Sequence, residues 1–229
     1  LVAFAAIDGA AQAVSAIIRG RIIPATLEFM DASAIDCVRR AMDLDLPEAC
    51  RAVLIIEVDG EPAVLEAQAA RILEIVGPLG VIETRVAATA EEAEAIWKVR
   101  RSVSPSLRRV NPDKFNEDIV VPRSRVPEMI RALEAISARY NVPIVNFGHA
   151  GDGNIHVNVM VDLKEEGMRA TVDRVLDEIF RTTVALGGSV SGEHGIGTAK
   201  MPFIGLELDA ATLATMRAIK QALDPQGIM

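Results

Sequence analysis

All three histidines of this chain fall in two glycine-rich segments: Asn146-Phe147-Gly148-His149-Ala150-Gly151-Asp152-Gly153-Asn154-Ile155-His156 and Ser191-Gly192-Glu193-His194-Gly195-Ile196-Gly197. A lone histidine is usually a surface or core residue, but three of them grouped among glycines suggest a site. Imidazole is an acid–base group near neutral pH and the commonest metal ligand. Glycine costs backbone entropy, and its use lies in sharp turns and close approach of backbone to a ligand. A strand over Ile155–Val161 would bury Ile155, Val157, Val159 and Val161 on one face and present His156, Asn158 and Met160 on the other. The glycine turn before it can fold His149 back over the strand entry. With the Glu193 carboxylate, the two imidazoles make a three-ligand site suited to Zn²⁺ or Mn²⁺. Three protein ligands leave positions open, as a catalytic site requires. Asp152 is a further oxygen candidate, although Gly-Asp-Gly reads better as a turn. Glu193 without the histidines would read equally well as a capping or surface carboxylate.

Two other glycine patterns fall away. Gly192-x-x-Gly195-x-Gly197 reverses the spacing of the dinucleotide fingerprint and has no parallel βαβ unit around it. Thr198-Ala199-Lys200 lacks the Gly-Lys-Ser/Thr order of a phosphate loop.

The elements that must carry these segments alternate short strands with helices. Leu1–Ile7 reads as a strand, with Asp8 placed to cap an Ala-rich helix ending near Arg19. Ala25–Phe29, Val53–Val58 and Val81–Ala87 read as strands, and Ser33–Met42 and Glu61–Val76 as helices. Thr89 with Glu92 is a capping-box pattern for a helix carrying Trp97 and Arg100. Lys114–Val121, Ile144–Phe147 and Ile155–Val161 are further strands. Arg125–Tyr140, Lys164–Leu186 and Asp209–Leu223 are further helices. This order predicts an α+β fold of ferredoxin-like type, a largely antiparallel sheet with helices on one face, in one domain or two intimate halves.

Composition narrows the function classes. The chain has 229 residues, half of them apolar, with 24 Lys or Arg against 32 Asp or Glu and a formal net charge of −8. This is a globular composition. Without a basic stripe, and with aromatics at 3 %, a nucleic-acid partner is not expected. No apolar run approaches the roughly 20 residues of a transmembrane helix. Cys37 and Cys50 have no metal-site spacing and read as idle thiols in a reducing, cytoplasmic setting. The chain has no initiator Met and stops just after Asp224-Pro225-Gln226-Gly227, so both ends are expected to continue a longer protein.

The segments NFGHAGDGNIHVNV and SGEHGIGTAK, in that order and roughly 30 residues apart, resemble the C-terminal domain of FAD-linked oxidases. That group contains glycolate oxidase of the D type, D-lactate dehydrogenase and D-2-hydroxyglutarate dehydrogenase, within the vanillyl-alcohol-oxidase superfamily. IIPATLEFMD, FNEDIVVPRSRVPEM and IKQALDPQGIM extend the similarity over residues 1–229, nearest to the glycolate oxidase D type. The resemblance implies a substrate (cap) domain whose N-terminal FAD-binding domain lies outside these residues. The Asn-Pro-Gly tail that usually follows the final Asp-Pro-x-Gly-Ile turn is also missing.

By this resemblance His149, His156 and Glu193 match a divalent-metal site, Zn or Mn. His194 matches a general base beside the substrate hydroxyl and the flavin. Arg100 matches the arginine that grips the substrate carboxylate, and Ser104 and Asn158 match polar substrate contacts. Lys114 and Asn116 share a strand face near where relatives bear a substrate lysine. For Arg100 and Lys114 the plain alternative is a solvated charge. The implied activity is oxidation of a D-2-hydroxy acid, glycolate- or lactate-like, to the 2-oxo acid with FAD as hydride acceptor. The 229 residues alone are expected to be inactive. The implied partners are the chain's own FAD domain and other glycolate oxidase subunits, an iron–sulfur subunit among them, in the cytoplasm or peripheral on the inner membrane face. Two rivals remain: a metal-dependent hydrolase, which needs a free carboxylate such as Asp152 as base, and a non-catalytic binding or assembly module.

Overall fold

The computed structural model describes residues 1–229, apart from the side chain of Pro62. The chain runs β1 (Val2–Phe4), α1 (Ile7–Arg19), β2 (Thr26–Asp31), α2 (Ala32–Arg39), β3 (Ala52–Glu57), α3 (Pro62–Val76) and β4 (Val81–Thr84). It continues through α4 (Ala90–Arg101), the short α5 (Val103–Ser106), β5 (Asp113–Val120), α6 (Val126–Tyr140), β6 (Ile144–His149) and β7 (Asn154–Val161), then α7 (Met168–Ala185) and α8 (Ala210–Leu223). The seven strands form one sheet in the order β4-β1-β3-β2-β6-β7-β5, and every pairing is antiparallel. The first four strands have the ferredoxin-like order. In the second half β5, α6, β6, β7 and α7 repeat that plan, short of a last strand. A single bridge, Val120 to Ser189, stands where that strand would pair.

The sequence pattern anticipates helices on one face of the sheet, but they cover both. On one side α1, α3, α6 and α7 pack over Phe4, Phe29, Leu54, Ile155, Val157 and Val159. On the other, α2, α4 and α5 pack over Ala3, Met30, Val53, Val145, Phe147 and Met160. The reason lies in strands such as β2 and β3, whose successive residues are almost all buried. A strand buried on both faces loses the alternation that would signal an open side. Cys37 and Cys50 are free thiols inside this second core, and burial pushes both upward from the usual thiol pKa.

Local chemistry sets several element ends. Thr89 and Glu92 close the capping box of α4 reciprocally. Asn141 takes the left-handed conformation, φ 51°, that ends α6. Asp8 is not the cap of α1. Ala6 holds that position, and Asp8 sits in the first turn, paired at 2.7 Å with Arg131. The first strand is accordingly shorter than the apolar run Leu1–Ile7, because the chain bends at residues 5–6.

Candidate functional site

The β6–β7 hairpin is the scaffold. Gly153, at φ +85°, makes its turn where an added Cβ would lie 2.1 Å from the Val121 carbonyl oxygen. Asp152 is the turn residue its context suggests, its carboxylate accepting the Asn154 N–H at 2.9 Å. In the resulting register His149 faces Asn154 and Phe147 faces His156. Ile155, Val157, Val159 and Val161 go to the first core as expected, and His156, Asn158 and Met160 to the opposite face.

The two histidine Nε2 atoms stand 3.3 Å apart. Glu193 brings Oε1 to 3.5 Å from His149 Nε2, 3.8 Å from His156 Nε2 and 3.7 Å from His194 Nε2. One ligand atom each from His149, His156 and Glu193 lies within 4.8 Å of the others. The His194 ring stacks on that of His156 with centroids 5.5 Å apart and planes 16° from parallel. Burial, then the neighbouring His149 and Arg100, lowers the pKa of His156. That favours the neutral imidazole a metal requires. An N₂O donor set closing on one point fits a divalent ion of the borderline class.

Two carboxylates that sequence reasoning passed over organise this cluster. Glu28 on β2 is paired in register with His149. Its Oε1 bonds His149 Nδ1, and its Oε2 accepts Arg100 Nε at 2.8 Å and Nη2 at 2.7 Å. The Arg100 guanidinium also lies over the Phe147 ring, 4.4 Å from its centroid. Arg100, with its side chain 14 % exposed, is therefore not a solvated surface charge.

The second carboxylate is Asp118, fully buried on β5 and directly opposite His156. Its Oδ2 accepts the backbone N–H groups of Gly192, Glu193 and His194 at 3.0, 2.9 and 2.8 Å. Its Oδ1 accepts from the Asn154 amide. Burial would raise the Asp118 pKa. The N–H donors, Asn154 and Lys200 outweigh it and hold the carboxyl well below the usual range. Lys200, itself 4 % exposed, bonds the Asp118 carbonyl oxygen at 2.6 Å. This anchor places Glu193 and His194. Gly192 is needed there, since an added Cβ would lie 1.8 Å from Asn154 Nδ2.

The other sequence candidates spread away from this centre. Asn158 is buried, donates to the Val145 and His156 carbonyls, and accepts from Asn116 Nδ2 at 2.8 Å. Lys114 lies farther along β5 opposite Met160 and is exposed. Ser104 is exposed on α5. The structure thus brings together His149, His156, Glu193, His194 and, through Glu28, Arg100. No side-chain hydrogen bond or ion pair joins Ser104 or Lys114 to them among the described residues.

A family model described as FAD linked oxidases, C-terminal domain, matches residues 1–229. The chain belongs to this family. Glycolate oxidase subunit GlcD of Bacillus subtilis (strain 168) is 39 % identical over 223 residues, covering 97 % of this chain and 47 % of that protein. The GlcD subunit of Escherichia coli (strain K12) is 31 % identical over 229 residues, covering 100 % and 46 %. The mitochondrial D-lactate dehydrogenase [cytochrome] of Arabidopsis thaliana is 29 % identical over 232 residues, covering 99 % and 40 %. The chain spans less than half the length of these relatives. Among solved structures, p-cresol methylhydroxylase with substrate bound superposes with a TM-score of 0.72 at 14 % identity, covering 99 % of this chain and 50 % of that one. 4-Ethylphenol oxidase from Gulosibacter chungangensis gives a TM-score of 0.64 at 13 % identity, covering 100 % and 51 %. Both share the fold of this FAD-linked oxidase domain. No helix among its described residues is long and apolar enough to cross a membrane.

Proposed function

We propose that this FAD-linked oxidase domain is the substrate- and metal-binding half of an FAD-dependent oxidoreductase. Its substrate would be a D-2-hydroxy acid of the glycolate or lactate type, converted to the 2-oxo acid, with the flavin domain and partner subunits supplied from outside these residues. The reading is supported by the names of the relatives and carried by one observation: His149, His156 and Glu193 converge beside His194 and a partly buried arginine. When bound, a divalent ion supplies Lewis acidity toward a hydroxyl oxygen, and the flavin supplies a hydride acceptor. His149, His156 and Glu193 hold the ion. His194, with its side chain 48 % exposed, is open to a substrate and takes the hydroxyl proton at Nε2.

Arg100 orients the acid. Glu28 occupies its Nε and Nη2 edge, and Nη1 makes no hydrogen bond among the described residues. The Nη1–Nη2 edge is therefore left for the two oxygens of a substrate carboxylate. Asn116 and Asn158 line the neighbouring strand face. The hydrolase alternative finds no support, because Asp152 is engaged in its turn and Asp118 in anchoring the 191–194 loop.

Two expected results test this. The full-length protein dialysed against Mn²⁺ or Zn²⁺ should retain one ion per chain at this site, and His156→Ala should lose it; equal occupancy in both, measured by metal analysis, would refute the ligand set. Arg100→Ala should raise KM for the hydroxy acid by about 10- to 100-fold, in line with about 1.5–3 kcal/mol for hydrogen bonds to charged groups. Arg100→Lys should not restore it, since an ammonium cannot reproduce a two-pronged grip. An unchanged KM in Arg100→Ala would move the carboxylate anchor to another residue, Lys114 being the next candidate.

A further inference from the structure

Glu28 touches both parts of the site. It is almost fully buried, with its side chain 7 % exposed, and each oxygen serves a different functional residue. His149 and Arg100 come from elements 121 and 72 residues away from it in sequence. A carboxylate offers acceptors only, so the His149 nitrogen it meets, Nδ1, carries the ring proton. In the neutral ring the lone pair is then on Nε2, the atom that faces His156 and Glu193. The other oxygen holds Arg100 against the Phe147 ring, and Phe147 in turn lies beside His156, with ring centroids 5.4 Å apart.

From this geometry we infer that Glu28 is a positioning residue shared by the two halves of the site. It sets the tautomer and aim of His149 for the metal and fixes the guanidinium of Arg100 for the substrate carboxylate. The inference rests on the proposed function for what the two partners bind. What Glu28 does to His149 and Arg100 rests on contacts within the chain.

Glu28→Gln separates the two roles because it is isosteric but offers one acceptor and one donor. Its carbonyl oxygen should turn to the permanently charged Arg100, leaving its NH₂ facing His149 Nδ1. That nitrogen can accept only if the ring proton moves to Nε2, where it blocks the ligand lone pair. In the full-length protein E28Q should weaken Mn²⁺ binding by about 10- to 100-fold, the usual effect of removing such a carboxylate–histidine contact. KM at saturating Mn²⁺ should change little. E28A removes both acceptors and should weaken Mn²⁺ binding and also raise KM at saturating Mn²⁺.

The histidine tautomer gives a readout that needs no variant. Nitrogen-15 spectra of metal-free wild-type protein labelled at histidine should show His149 protonated at Nδ1. An Nε2–H tautomer there, or wild-type Mn²⁺ affinity in E28Q, would overturn the inference for the metal. An unchanged KM in E28A would overturn it for Arg100. A wild-type protein that binds no Mn²⁺ at all would instead refute the metal reading of the proposed function, and the tautomer would still decide the role of Glu28.

Discussion

Replacing His194 by alanine in the full-length enzyme is expected to lower kcat and kcat/KM together, by about 10²- to 10⁴-fold, the usual worth of a positioned general base. A proton acceptor acts in the transition state and contributes little to ground-state binding, so KM should move far less than kcat. The geometry supports this assignment. His194 stacks on His156, one of the proposed metal ligands, and shares Glu193 Oε1 with the cluster, yet its own ring is about half exposed and so can meet a substrate. His149 and His156 turn their Nε2 atoms toward each other and Glu193 and are less accessible. The measurement is steady-state kinetics on glycolate and D-lactate with an artificial electron acceptor. If His194→Ala raises KM and leaves kcat alone, His194 is a binding contact, and the base must be another group.

Asp118→Ala should be the most destabilising single change in the site, costing about 3–5 kcal/mol, the range for removing one partner of a buried ion pair. It removes the carboxylate 3.8 Å from the buried Lys200 ammonium and leaves the Glu193 and His194 backbone N–H groups with no other acceptor among the described residues, while Gly192 N–H keeps only the Asp118 carbonyl oxygen at 3.4 Å. Denaturant unfolding gives the magnitude. Hydrogen exchange at the amides of Gly192, Glu193 and His194 gives the location, and protection of those three should collapse even under conditions where the sheet stays folded. Unaltered protection there would show that the loop is held by something other than Asp118.

The same residue has a pH signature. Its carboxyl is held below the ordinary range in the folded state, so the stability it adds is fully present above the unfolded carboxylate pKa of about 4. That contribution is lost as the pH falls below this value toward the folded pKa. Wild-type stability should therefore drop more steeply on acidification below about pH 4 than that of Asp118→Asn.

The parts of this protein legible in the sequence are those encoded within a few residues. The β6–β7 hairpin is one: period-2 alternation puts His156 and Asn158 on the face opposite Val157 and Val159, and the glycines of the turn bring His149 back beside them. The capping box at Thr89 is another, since donor and acceptor lie three residues apart. The succession of strands and helices was likewise enough to anticipate an antiparallel α+β fold of ferredoxin-like type, because each element announces itself by its own periodicity.

What the tertiary structure alone decided is what depends on pairing between distant strands. Glu28 looks like one acidic residue in the run Thr26-Leu27-Glu28-Phe29, and Asp118 like another in Asn116-Glu117-Asp118. Nothing within ten residues of either names its partner. Their roles appear only when β2 pairs with β6 and β5 pairs with β7, which sets Glu28 opposite His149 and Asp118 opposite His156. Helices on both faces of the sheet were hidden for a related reason. A strand buried on both sides shows a continuous apolar run, and such a run records burial without recording what covers each face. Arg100 was legible as a charge near the end of a helix. Whether that charge faces water or a buried carboxylate depends on how α4 docks on the sheet, and docking is a property of the whole core.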